Sequence, residues 1–487
     1  MTLTYLILIP LLAALVSFAC TSRRLGWIEG VGVLAAILEL AVAVHALLTG
    51  VHGGGSPTFL ALDAFGTILV LIITFVGLAA AVYSVGYLRA ERQKEIVSAG
   101  RTVQFWVLFH LFMFAMLLSV MAQHPIVMWA AIEATTLSTV FLVSFYKKKS
   151  SLEAGWKYLV VNSVGLLIGF FGTLTMLSLV GSHTGLLSWG DLLTAAPTLD
   201  PLAMKVAFIF ILIGYGTKAG LVPMHTWLPD AHGKAPAPIS ALLSGVLLNT
   251  AFLAIARYKV VVDEVVGPWW SSNILLGFGV LSIIVMGFML LTQNRYKRML
   301  AYSSIENMGI LAVGFGLGGV AVVYAMLHMV YHALVKSALF LTSGNLFLAY
   351  GSGKIGNVRG VLTVLPWTGP LFFLGVIAIV GMPPFGTFMS KLGIISSGVG
   401  AHPLLIAVLI AAFVLVFVGF LIHGTKMLFG TPPTHTPDGQ AIVVGERGIL
   451  TVLPIGMLLI AAVILGFYIP APLAEVVTNA ASVYVSE

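Results

Sequence analysis

The chain has 487 residues, of which 59% are hydrophobic and only 8% charged, and a formal net charge of +7. Soluble domains carry roughly 25% charged residues, and with a mean hydropathy of +1.07 this composition excludes a soluble globular protein. The basic excess sits in particular loops and does not signal nucleic acid. The single cysteine, Cys20, excludes an intrachain disulfide framework and a cysteine-cluster metal site.

In chain order, fourteen apolar runs are long enough to cross a hydrocarbon core of roughly 30 Å as helices. They lie at about 2–20, 27–49, 60–87, 103–122, 125–146, 154–180, 203–224, 237–257, 272–292, 299–318, 320–349, 362–392, 402–429 and 447–470. None reads as the short alternating segments of barrel strands. The first run lacks a basic n-region, and Arg23 and Arg24 follow its apolar core, so it is expected to be a retained helix rather than a cleaved signal. The gaps at 181–202 and 430–446 are too short to bury a core of their own. The expectation is one all-α polytopic membrane domain over 1–487.

Lysine and arginine concentrate in alternate loops. Arg89, Arg92, Lys94 and Arg101 follow run 3, Lys147, Lys148 and Lys149 follow run 5, Arg295, Lys297 and Arg298 follow run 9, and Lys354 and Arg359 follow run 11. The loops at 50–59, 123–124 and 393–401 have neither residue. Basic loops mark the cytoplasmic side, which predicts a multi-pass protein of the cell's inner (cytoplasmic) membrane with both termini outside. Arg257 and Lys259 break the pattern, and Asp263 and Glu264 are their expected partners.

Two runs carry helix breakers. The seventh reads Gly214-Tyr-Gly-Thr-Lys218-Ala-Gly220, then Pro223; the twelfth reads Gly381-Met-Pro-Pro-Phe-Gly386, then Lys391. Interrupted segments at corresponding places in two halves point to inverted repeats with sites near the midplane. Runs 4–8 (103–257) and 9–13 (272–429) are the expected repeats, after helices 1–3 (1–102) and before a last helix at 447–470.

Charges in apolar runs are costly, on the order of 3 kcal/mol by insertion scales, and persist where they face protein or a wet path. Glu133 lies within Ile126–Tyr146 and Lys218 within Val206–Val222. As opposite charges on different helices they are either a functional two-state pair or a structural ion pair. His328, His332 and Lys336 are spaced by four and share one helix face. Histidine titrates near neutral pH, so this row with Lys391 fits a proton relay. Glu153 and Lys157 read as an interfacial i, i+4 pair, and His225 as a membrane-boundary residue; Lys157 and His225, with Ser244 and Glu306, are accessory candidates for the proton path. No metal-ligand, phosphate-loop or nucleophile motif is present, so no cofactor is expected in this chain.

The segment Lys218-Ala-Gly-Leu-Val-Pro-Met-His-Thr-Trp-Leu-Pro-Asp-Ala-His-Gly-Lys-Ala-Pro-Ala-Pro-Ile-Ser-Ala-Leu242 resembles the hallmark of the antiporter-like family. That family comprises the proton-pumping membrane subunits of respiratory complex I, the multisubunit cation/proton antiporters, and the membrane arms of energy-converting hydrogenases. The resemblance continues through Arg298–Gly309, through His328 to Gly344, and through Gly381–Lys391. It implies that Glu133 and Lys218 are the helix-5 and helix-7 charges, that His328, His332 and Lys336 are the helix-11 relay, and that Lys391 hands protons outward. One position departs: Ser244 stands where many members have a helix-8 His or Lys. The stretch Ile132–Lys157 and the Glu306 of Ser-Ile-Glu-Asn-Met-Gly look most like the hydrogenase-4 F-type branch. The resemblance implies a proton-translocating subunit of a redox-driven hydrogenase-4, formate-hydrogenlyase or complex I type assembly. Its implied partners are other membrane subunits and a soluble redox arm that carries the redox chemistry. A cation/proton antiporter subunit without a redox arm, and a proton-coupled subunit of inorganic-carbon uptake, are the alternatives.

Overall fold

In lipid every backbone N–H and C=O needs an internal partner, so apolar runs fold as helices or closed barrels; this chain takes the helical solution. The computed structural model describes residues 2–20, 24–50, 59–181 and 186–484. Arg23 and most of the 50–59 loop lie outside the described residues. The helices are α1 (Thr2–Ala19), α2 (Leu25–Thr49), α3 (Ala64–Gln93), α4 (Ala99–Met121), α5 (Pro125–Val143), α6 (Lys149–Leu179), α7 (Trp189–Ala195), α8 (Pro201–Ala219) and α9 (Leu228–Lys234). Then come α10 (Ala237–Val266), α11 (Pro268–Leu291), α12 (Tyr296–Leu317), α13 (Val320–Tyr350), α14 (Thr368–Val380), α15 (Gly386–Gly398), α16 (Pro403–Leu428), α17 (Ile449–Phe467) and α18 (Ala471–Ser482).

Thirteen of these helices are long and apolar enough to cross a membrane. Counted with the interrupted α14–α15 unit, they reproduce the fourteen expected runs. The most apolar stretch of α10 is wholly buried by protein and that of α12 is 89% buried, against 28% for α1. Polar side chains are therefore affordable in α10 and α12, which see little lipid.

Both breaks occur where glycine and proline mark them. Gly220 takes a left-handed φ of +80° and its N–H returns to the carbonyls of Gly216 and Thr217, which ends α8. Gly381, at φ +86°, ends α14 in the same way on Ile377 and Ala378. A side chain at either site would be strained.

Several boundaries differ from those expected. Run 12 starts as a single helical turn, Val361–Val364, and resumes at Thr368, and the loop expected at 393–401 is helical as far as Gly398. Hydropathy falls in that stretch because small residues there let neighbouring helices approach. A Cβ on Gly393 would lie 2.3 Å from the Tyr324 ring, and one on Gly398 would lie 2.7 Å from Ile406 Cδ1. Run 8, expected to stop at 257, continues to Val266 because its charges are paired. Lys259 binds Asp263 at 2.5 Å, as expected. Arg257 pairs with Asp63 at 2.9 Å rather than with Asp263 or Glu264, and also donates to the Val120 carbonyl. Asp63 is at once the N-cap of α3 and the counter-ion of a nearly buried arginine.

Three short helices, α7, α9 and α18, have no counterpart among the expected runs. α7 is nucleated by a capping box between Ser188 and Asp191. α18 buries Val476, Val477, Ala480 and Ala481, and it packs on α3 and α13.

Candidate functional site

The first cluster forms around the end of α8. Gly165 of α6 lies against Thr217, where a Cβ would fall 2.7 Å from that side chain. Close packing of small residues of this kind lets membrane helices meet backbone to backbone. It brings Lys218, wholly buried, beside α5 and α6. Lys218 Nζ donates to Thr136 Oγ1 at 2.8 Å and to Tyr158 OH at 2.9 Å, and it lies 5.0 Å from the Tyr158 ring centroid. Half-buried Glu133 accepts from Ser163 Oγ at 2.6 Å and from Thr136 Oγ1 at 3.2 Å. Lys218 and Glu133 are thus on one site but not in direct contact. Thr136 accepts from the ammonium and donates to the carboxylate, so one hydroxyl carries the link.

The second cluster forms around the other break. Lys391, in the second turn of α15, meets Glu306 of α12 at 3.2 Å. It also reaches the Ile379 and Val380 carbonyls at 3.3 and 3.5 Å, groups that the interrupted helix leaves without a following turn. Glu306 Oε2 accepts from Asn307 Nδ2 at 2.5 Å. Asn307 Oδ1 lies 2.9 Å from His328 Nε2, and His328 Nδ1 lies 2.9 Å from Ser390 Oγ. The result is a continuous polar line from Lys391 through Glu306 and Asn307 to His328.

α13 continues this line. His332 stacks on His328 with ring centroids 6.5 Å apart. Its two buried ring nitrogens have no protein partner. One turn further, Lys336 donates to the Leu300 carbonyl at 2.6 Å and to Ser303 Oγ. Next to Ser303, Ser304 Oγ is 2.6 Å from Ser244 Oγ. Ser244 lies in a π-helical turn, Leu243–Leu247, inside α10. Such turns recur at functional sites, and this one turns a hydroxyl of the α8-side half towards α12.

Lys157 and His225 fall outside both clusters. Lys157 pairs with Glu153 at 2.7 Å and with Asp230 at 3.5 Å, and it is half exposed, which is the expected interfacial pair. His225 sits on the turn between α8 and α9, where its carbonyl accepts from the Leu228 N–H at 3.0 Å. Glu306, an accessory candidate in the sequence, is the direct partner of Lys391. Sequence reasoning missed the neutral members Thr136, Tyr158, Ser163, Ser303, Asn307 and Ser390. Some signal was there: Thr136 follows Glu133 by three residues, Asn307 follows Glu306, and Ser390 precedes Lys391.

Fold and site together define a polytopic membrane protein with a buried lysine at each of two broken helices and a line of polar and ionisable groups in helices largely enclosed by protein. The chain belongs to the family described as NADH:quinone oxidoreductase/Mrp antiporter, transmembrane, matched over residues 122–418; both clusters lie within that match. It is 36% identical over 380 residues to a hydrogenase-4 component F homolog of Methylacidiphilum infernorum, covering 77% of this chain and 80% of the relative. Among solved structures it resembles a chain of the membrane-bound sulfane sulfur reductase, an archaeal respiratory membrane complex. There the TM-score is 0.84 at 25% identity, covering 99% of this chain and 97% of the other. A chain of the Mrp complex from Dietzia sp. DQ12-45-1b has the same fold, with a TM-score of 0.87 at 22% identity over 99% and 97% of the two chains.

Proposed function

We propose that this chain is a proton-translocating subunit of a redox-driven membrane complex of the hydrogenase-4, formate-hydrogenlyase or complex I type. The observation that carries the reading is the lysine at each helix break, each sharing a hydrogen-bonded site with a carboxylate. Lys218 reaches Glu133 through Thr136, and Lys391 meets Glu306 directly. Each site can hold or release a proton as its charges are brought together or separated, and the Glu306–His328–His332–Lys336 line supplies stations between α15 and the centre. Lys391 is the outward station, and Ser244 with Ser304 marks where the two halves meet. The repeats are 103–257 and 272–429, flanked by helices 1–3 (1–102) and the last helix (447–470).

In this reading the chain sits in the inner membrane with both termini outside, beside other membrane subunits and a soluble redox arm. The redox cofactors belong to that arm, which acts on this chain by shifting the charge state of the lysine sites. Support for a redox partner comes from the name of the 36% identical relative, a hydrogenase-4 component. The test is to purify the intact complex through a tag on this chain, assay nickel and iron–sulfur clusters, and follow proton movement in proteoliposomes. Redox subunits that copurify and drive proton translocation are the expected result. A complex without redox centres that exchanges sodium for protons, or one that carries a carbonic-anhydrase-like partner, contradicts it.

A further inference from the structure

Glu91, in the last turn of α3, is wholly buried and belongs to neither cluster. Its Oε1 accepts from Tyr146 OH at 2.7 Å, and its buried Oε2 has no protein partner. Among the described residues no cation lies within ion-pair distance of it; the charges of Lys297 and Lys148 act on it only from farther away. Arg89 and Arg92, on the same helix end, are both taken by Glu29, at 2.6 and 3.0 Å. Lys94 Nζ donates to the Leu348 carbonyl at 2.7 Å, and Lys297 Nζ to the Ala235 carbonyl at 2.9 Å. A carboxyl kept in protein without a direct ion pair is costly, and helix packing does not explain it.

A lane of phenols leads inward from this carboxyl. Tyr146 OH lies 2.9 Å from Tyr87 OH. The Tyr87 and Tyr83 rings stack at 5.6 Å, and Tyr83 OH donates to Asn345 Oδ1 of α13 at 3.0 Å. Both phenols press on bare backbone there. A Cβ on Gly344 would fall 2.3 Å from Tyr83 OH and 3.2 Å from Tyr87 Cε2. Lys336 lies eight residues earlier on the same face of α13, about 12 Å at 1.5 Å per residue. Halfway along, Phe340 packs on His232, with centroids 5.1 Å apart. His232 is wholly buried; its Nδ1 faces the Leu228 carbonyl at 3.0 Å and its Nε2 has no protein partner.

We propose that Glu91 is the proton-loading group for the α13 line on the side of the basic loops, with Tyr146 and Tyr87 as its conduit, Tyr83 holding Tyr87 against α13, and His232 as the acceptor before Lys336. This rests on the proposed function and adds to it the place where protons are taken up. The Glu91 carboxylate binds one proton from the aqueous phase; Tyr146, which donates to it at rest, turns its own proton to the Tyr87 oxygen and takes the carboxyl proton. Tyr87 releases its proton inward to the unpartnered Nε2 of His232, so each hydroxyl gains one proton and loses one, the carboxylate is restored, and His232 holds the proton.

The test uses the intact complex in proteoliposomes, with subunit composition checked for each variant. Glu91→Gln keeps the shape and the hydrogen bond from Tyr146 but carries no exchangeable acid proton. It should lower the initial rate of proton translocation at least about tenfold, and Tyr146→Phe should do the same. Glu91→His changes the shape but titrates, and should recover the rate to within about threefold of wild type; Glu91→Asp replaces it if that complex does not assemble. A packing role predicts the reverse order, with Gln tolerated and His not. The inference is overturned if Glu91→Gln translocates within about twofold of wild type, or if neither titratable variant is faster than Glu91→Gln. If the wild-type complex moves no protons, the proposed function fails instead.

Discussion

Thr136→Val tests the link between Lys218 and Glu133 while leaving both charges in place. Valine matches threonine in shape but lacks the hydroxyl that accepts from Lys218 Nζ at 2.8 Å and donates to Glu133 Oε2 at 3.2 Å. Tyr158 still holds the lysine at 2.9 Å and Ser163 still holds the carboxylate at 2.6 Å, so neither side chain is left bare. A hydrogen bond to a charged group contributes roughly 1.5–3 kcal/mol, and every 1.4 kcal/mol is about a factor of ten. Losing the shared hydroxyl should therefore slow coupled proton translocation by roughly 10- to 100-fold. Thr136→Ser keeps the hydroxyl and should stay within about threefold. Initial rates from a pH-sensitive dye trapped in proteoliposomes give the comparison. Wild-type rates in Thr136→Val, or equal losses in the valine and serine variants, refute a coupling carried by this hydroxyl.

Removing Glu306 leaves Lys391 buried without its carboxylate, at a cost of about 3–5 kcal/mol. Thermal denaturation in detergent should show Glu306→Ala strongly destabilised, and the Glu306→Ala/Lys391→Ala double variant less so than the sum of the singles. Gly214→Val should block assembly, because a Cβ there falls 2.3 Å from the Gly169 backbone nitrogen; normal yield and unchanged melting contradict that packing. In a Cys20→Ser background, cysteines at Ser98 and Ala401 should label with an impermeant reagent from opposite sides, Ala401 from outside. Labelling of both from one side sinks the proposed orientation.

Hydropathy made the membrane helices legible, since a 20-residue apolar run has few other solutions. Both breaks were legible because Gly220 and Gly381 supply the left-handed turn that each needs. What hydropathy misplaced at the end of run 8 has an electrostatic cause. The end of α10 carries Arg257 and Lys259, whose cost is met by Asp63 and Asp263, and a window average does not see a partner 194 residues away. The charged members of the site stood out because they are rare in these runs. Their neutral links, Thr136, Tyr158 and Asn307, did not, because threonine, tyrosine and asparagine are unremarkable in a helix until the fold brings them to a lysine or a histidine. Glu306 was visible, but its pairing with Lys391 across 85 positions was not.

The central claim is that protons move through Lys218. Lys218→Met keeps a long apolar side chain in the same space and removes the ammonium that Thr136 and Tyr158 hold. The direct measurement is proton translocation per turnover by the reconstituted complex carrying Lys218→Met, with subunit composition verified beside wild type. Translocation should be abolished in a fully assembled complex; translocation at the wild-type rate would contradict a proton path through this lysine.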